Sequence, residues 1–239
     1  YIPFNLGFED SASLKNFVQN PKKKKLDIAV ISYPYMSNYN DIEPLIADDE
    51  VFVEFVDYNI SLEKFDLVIL PGSKLVIKDL KWMKDNGLFE QIKNYKKDIC
   101  CICGGYEMMF ETLDDKYALE NSEALIEEGF AKIPSKVVFE KEKILEKKTY
   151  DLFDSKIKGF EIHHGISKEY SLSYECEKFK GTFVHGIFDD DKFRAAYFKS
   201  IDSSYIGYNF EEYKKNSIDT FVNTMRDKLD VKRIVNSVL

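Results

Sequence analysis

The chain has 239 residues, of which 44% are hydrophobic, 15% aromatic and 32% charged. Its 34 Lys and Arg against 42 Asp and Glu leave a formal net charge of −8. That balance disfavours a disordered chain and argues against nonspecific binding to nucleic acid or anionic membrane, which needs clustered positive charge. No apolar run reaches the roughly 18 residues of a membrane span. The first residues lack the basic flank and apolar centre of a signal peptide. The chain opens on Tyr1 rather than Met, so it is expected to be a piece of a longer protein.

Residues 1–25 read as a lead-in. Asp10 and Ser11 can cap a short helix over 12–18, and the segment ends at Pro21 and four lysines, a solvated linker. From there 26–239 is expected to be one domain. Four short apolar, β-branched runs follow: LDIAVIS at 26–32, VFVEFVD at 51–57, FDLVIL at 65–70 and DICCI at 98–102. Each predicts a buried strand. Between the last two, Leu80, Met83, Leu88, Phe89 and Ile92 recur at helical spacing. Strands alternating with helices predict an α/β fold, with a mostly parallel sheet flanked by helices. Such a sheet carries its functional loops at the carboxyl ends of its strands. Residues 111–160 are more charged and less periodic, with strand-like pieces at 136–139 and 158–163, and read as a variable insertion. A further strand is expected at 181–184 and helices over 210–239.

The most informative stretch is ICCICGGYEMMF at 99–110. An apolar strand stops at Cys103, and Gly104, Gly105 and a helical run follow at once. This is the strand–turn–helix pattern of a nucleophile elbow. A thiol on such a turn is thrust out of the sheet. It meets a helix N-terminus, expected to lower its pKa, and free N–H groups that can hold an oxyanion. Cys100 and Cys101 read as small buried hydrophobes. A metal site from Cys-Cys-x-Cys is disfavoured, because its spacing is not that of metal ligands. The remaining cysteine, Cys176, stands far away. No disulfide framework is implied, and a cytoplasmic location is expected.

A thiol nucleophile needs a base. The 3 histidines are His163, His164 and His185. Each lies at the end of a strand-like run beside glycine, and the residues alone do not choose among them. The run Asp189, Asp190, Asp191 reads as an N-cap for a helix near Lys192 rather than as a metal site.

Four motifs occur in register: Pro71-Gly72-Ser73-Lys74, Cys103-Gly104-Gly105-Tyr106, GFEIHHG at 159–165 and GTFVHGIF at 181–188. With them the chain resembles the C-terminal glutamine amidotransferase domain of the cobyric acid synthase group. The stretch SNYNDIEPL at 37–45 and the opening around Glu9-Asp10-Ser11 are similar to that group in particular. The resemblance implies a class I amidotransferase, flavodoxin-like architecture carrying the nucleophile elbow. It implies Cys103 as nucleophile and His185 as its base, Gly72 and Gly104 as oxyanion donors, and Tyr106, Glu107, His163 and His164 as substrate contacts. Glutamine is the implied substrate, and the domain needs no metal or cofactor of its own. An upstream synthetase domain of the same polypeptide, of which residues 1–25 would be the linker stub, would use ATP and Mg²⁺ on a corrinoid substrate, adenosylcobyrinic acid a,c-diamide. The G-x-x-x-x-G-K-[ST] phosphate loop that such a half would need does not occur in this sequence.

Two positions depart from the pattern. Glu107 stands where the family usually carries Gln, and an ionised Glu can only accept hydrogen bonds. Glu107 is therefore expected to be protonated, to bind differently or to be turned away. Cys101 replaces a Gly two residues before the nucleophile, a packing change. Relatives with a Cys-His-Glu triad carry Glu two positions after the histidine. Here that residue is Ile187, which matches the Cys-His dyad form. Two alternatives keep the fold and change the function: a docking module that no longer hydrolyses glutamine, or an amidotransferase for another acceptor, such as cobyrinic acid or a peptidoglycan precursor.

Overall fold

A computed structural model describes Gln19 and residues 22–229; the helix expected over 12–18 lies outside them. In chain order the strands are β1 (Leu26–Ile31), β2 (Met36–Ser37), β3 (Val51–Val56), β4 (Leu67–Leu70), β5 (Gly72–Ser73), β6 (Asp98–Ile102) and β7 (Phe110–Asp115). They continue with β8 (Leu125–Glu128), β9 (Ile133–Leu152), β10 (Ser155–Ile166), β11 (Ser173–Cys176), β12 (Phe179–Thr182) and β13 (Val184–His185). The helices are α1 (Glu43–Ile46), α2 (Val76–Asn86), α3 (Leu88–Asn94), α4 (Gly104–Glu107), α5 (Asp191–Ile201) and α6 (Phe210–Lys228).

The four apolar runs become the heart of one six-stranded sheet, in the order β11-β12-β6-β4-β1-β3. Its strands pair parallel except at the β11–β12 edge. Every residue of β4 is buried, and so are all but one in β1, which is why these runs show no alternation. Each large apolar side chain sealed here contributes about 1.5–3 kcal/mol against exposure. The helical stretch after β5 is two helices rather than one. Gly87, at φ 84°, ends α2 and turns the chain into α3.

The charged middle region, read as a variable insertion, is regular structure. It builds a second sheet, β13-β10-β9-β7-β8, antiparallel except between β7 and β9. Its centre is the long hairpin of β9 and β10. The inner half of that hairpin lies against the elbow, where the Cys103 thiol faces the Ile162 carbonyl at 3.7 Å. The expected cap after the second sheet is present: Asp190 Oδ1 accepts the Phe193 N–H at 2.8 Å and starts α5. Val231, Ile234 and Val238, expected to continue the final helix, lie outside the described residues.

Candidate active site

Cys103 follows β6 at the carboxyl end of the parallel sheet. Its backbone is at φ 50°, ψ −111°, a conformation that costs a non-glycine residue about 1–3 kcal/mol. Three hydrogen bonds hold it there. The Cys103 N–H donates to Thr182 O at 2.8 Å, Cys103 O accepts from Glu107 N–H at 2.9 Å, and Gly105 N–H donates to Pro71 O at 3.0 Å. The glycine is required sterically, since a Cβ on Gly105 would stand 2.1 Å from Leu70 O.

Only four residues of helix follow the thiol, so the dipole expected to lower its pKa is short. Burial dominates instead: it pushes the Cys103 thiol up, against the pull of His185. Cys100 and Cys101 are fully buried and read as core.

His185 sits on β13, fully buried, with Phe160 stacked on its ring at 4.9 Å. Its Nδ1 lies 2.6 Å from Asp41 Oδ2, and Asp41 Oδ1 accepts the Gly186 N–H at 2.8 Å. Its Nε2 lies 3.3 Å from Asn38 Nδ2. Burial works against charge on this imidazole, but the Asp41 carboxylate and the Cys103 sulfur outweigh it, and the pKa is raised well above the ordinary value.

Gly72 lies against the histidine: a Cβ there would be 3.2 Å from His185 Cε1. The Pro71 carbonyl is held by the Tyr33 hydroxyl and by Gly105 N–H. Because the peptide is trans, this aims the Gly72 N–H to the opposite side. There β5 pairs with β2, Ser37 opposite Gly72 and Met36 opposite Ser73. Lys74 N–H donates to Tyr35 O at 2.9 Å, which makes Met36–Ser73 the non-hydrogen-bonded pair and Ser37–Gly72 the hydrogen-bonded one. The Gly72 amide is thus engaged with Ser37. The Gly104 N–H, in the first turn of α4, has no intramolecular acceptor among the described residues.

Cys103 opens onto a cavity of about 640 Å³, also lined by Ser37, Asn38, Glu107, Glu120, His163 and His164. Glu107 is 3% exposed, and its Oε1 accepts the Gly165 N–H at 3.1 Å. The close packing explains Gly165, where a Cβ would come within 2.2 Å of that oxygen. Burial, reinforced by the nearby Glu120 charge, pushes the Glu107 carboxyl well above the carboxylate range. That shift runs toward the protonated form, the first of the three possibilities for Glu107. Glu120 takes the Ile77 N–H at 2.8 Å, and burial raises it to about 7.

Two expected contacts read differently in the structure. Tyr106 is not on the cavity. It is fully buried beneath the elbow, its ring edge-on to Phe110 and Phe183 and packed where Gly181 leaves room. Every second residue of β10 faces inward, and this puts His163 in the wall with both ring nitrogens occupied. Nδ1 meets Gly165 O at 2.7 Å, Nε2 meets Glu161 Oε2 at 3.1 Å, and Phe183 stacks on the ring at 4.0 Å. His164 bonds Glu140 O through Nδ1 at 2.8 Å, and no partner occupies its Nε2 among the described residues.

A strained cysteine beside a buried histidine at the carboxyl edge of a parallel sheet agrees with what the chain is similar to. The profile of the CobB/CobQ-like glutamine amidotransferase domain matches residues 27–193. The chain belongs to this family. The cobyric acid synthase of Acinetobacter baylyi is 54% identical over 238 residues, all of this chain and 51% of that protein. That of Clostridium tetani is 32% identical over 98% of the chain and 52% of its own length. The amidotransferase domain therefore spans about half the length of these curated relatives. A solved structure described as a glutamine amidotransferase superposes with a TM-score of 0.52 at 10% identity, covering 73% of this chain and 97% of its own, a likeness of fold.

Sequence reasoning missed Asp41 and Glu120 in this amidotransferase site. Asp41 was in view as part of SNYNDIEPL, but only as a family mark. Its partner is 144 residues further along. Glu120 sits in the irregular turn after β7, where no periodicity marks it.

Proposed function

We propose that this domain hydrolyses glutamine at Cys103 and supplies ammonia for an ATP-dependent amidation. The observation that carries the reading is the Cys103 thiol, held on a strained turn over the cavity with His185 beside it. His185 takes the thiol proton and stabilises the thiolate as an ion pair. The thiolate sulfur attacks the γ-amide carbon, and the C=O electron pair moves to oxygen. That oxyanion rests on the free Gly104 N–H; the Gly72 N–H joins once its bond to Ser37 is released. His185 returns its proton to the leaving nitrogen, the C–N bond breaks, and ammonia departs. Water then attacks the glutamyl thioester with His185 as base, releasing glutamate and restoring the thiol. A neutral Glu107 can donate a hydrogen bond into the cavity as a Gln amide would, and His164 offers its Nε2.

In the relatives' full length, the ammonia would amidate carboxylates of a corrinoid, adenosylcobyrinic acid a,c-diamide, in cobalamin biosynthesis. ATP and Mg²⁺ would act in that other half, a synthetase domain on the same polypeptide in the cytoplasm. The similarity to cobyric acid synthases over the whole chain supports this acceptor. The test is glutamate release from glutamine by the full-length protein with its synthetase substrates present. Cys103→Ala is expected to lose at least about 10³-fold in kcat. An unchanged rate contradicts the proposal.

A further inference from the structure

The turn at 38–41 grips both nitrogens of the proposed catalytic imidazole. Asn38 adopts a left-handed conformation at φ 55°, and Tyr39–Asp41 form one turn of 3₁₀ helix. This single turn puts Asp41 on Nδ1 at 2.6 Å and Asn38 on Nε2 at 3.3 Å. A carboxylate facing Nδ1 can only accept, so Nδ1 carries the hydrogen. The neutral ring therefore carries its lone pair on Nε2, the nitrogen that takes the thiol proton, with Asn38 Nδ2 3.3 Å away. Asp41 and His185 are both wholly shielded from water. A carboxylate so buried is costly unless each oxygen is satisfied, and here each has one donor: the imidazole N–H on Oδ2 and the Gly186 N–H on Oδ1. Ile187, at the position where triad amidotransferases carry Glu, is core.

We propose that Asp41 is the positioning residue of this glutaminase, a carboxylate supplied from the turn after β2 that fixes the tautomer of His185 and stabilises its imidazolium during proton transfer. The site is then a Cys-His-Asp arrangement rather than a dyad, with its acid brought from the opposite end of the domain sequence. The inference rests on the reading of Cys103 and His185 as nucleophile and base. The other titratable groups within electrostatic reach of this pair are Cys100, Glu107, His163 and Asp189. None of them is hydrogen-bonded to His185.

The test uses the full-length protein and two variants, Asp41→Asn and Asp41→Ser, each checked for a cooperative unfolding transition. Two quantities are read: kcat and KM for glutamine hydrolysis, and the pH midpoint of Cys103 alkylation by iodoacetamide. The expected result is a kcat lowered at least about hundredfold with KM within threefold, and an alkylation midpoint raised by about one pH unit or more, because the thiolate loses its imidazolium partner. A merely structural Asp41 would lower the unfolding midpoint and leave the alkylation midpoint of the folded protein where it was. A folded variant with kcat within threefold of wild type, or with an unshifted alkylation midpoint, overturns the proposal. Cys103→Ala and His185→Ala separate the two levels. If they too retain activity, the glutaminase reading fails; if they lose it and Asp41→Asn does not, only the role of Asp41 fails.

Discussion

In the proposed reaction a protonated Glu107 stands in for the amide of a Gln. Its Oε1 takes the Gly165 N–H, and burial pushes the carboxyl up toward the protonated form, which retains the donor that an ionised Glu lacks. Glu107→Gln is therefore expected to keep kcat/KM within about threefold at neutral pH, while Glu107→Ala raises KM about tenfold or more. The pH dependence has a definite sign. The raised pKa means the donor is present at low pH and lost as pH rises through it, so glutamine KM should climb on the alkaline side in wild type and stay flat in Glu107→Gln. Initial-rate kinetics from pH 6 to 9 check both. At this scale Cys103 was legible, because an apolar strand ending on Cys-Gly-Gly has a mechanical meaning. Asp41 was not, since its partner is 144 residues away and only the folded turn brings them together.

The elbow as an element depends on backbone approaching backbone. With a Cβ 2.1 Å from Leu70 O, Gly105→Ala must push α4 off β4, at a cost of about 2 kcal/mol or more and with loss of the Cys103 geometry. Asp190→Ala removes only the cap of α5 and is expected to cost about 1 kcal/mol without touching the thiol. Denaturant titration ranks the two. The same scale explains what sequence reading resolved. The buried strands β1, β4 and β6 are continuous apolar runs bounded by turns, and they were read to within a residue or two. The hairpin of β9 and β10 was read only in fragments. Beyond its inner half, β9 is exposed through EKEKILEKK apart from the half-buried Glu140 and Ile144, so its side chains carry no alternation to read. Its backbone is held by the ladder to β10 instead.

Across the whole molecule, several carboxyls share one electrostatic trend. Burial raises Asp79 to about 6 and Glu120 to about 7; Glu120 lines the cavity, and Asp79 accepts from the hydroxyl of the lining residue Ser73. A carboxyl raised in the folded state favours folding while it is protonated, and that contribution fades as pH climbs from the unfolded value through the folded one. The window is therefore about pH 4 to 7 for Glu120. Glu120→Gln removes this dependence and is expected to stabilise the protein at pH 8 by roughly 2 kcal/mol, with little effect near pH 4.5. Urea midpoints at the two pH values test it. The two sheets meet at the nucleophile, one supplying Cys103 and the other His185, so the central claim concerns that meeting point. Its most direct measurement is mass spectrometry of the full-length protein after exposure to a glutamine-mimicking electrophile. Stoichiometric labelling of Cys103, blocked by glutamine and abolished in Cys103→Ala, is the expected result. An unlabelled Cys103 in folded protein that still releases glutamate would contradict the account.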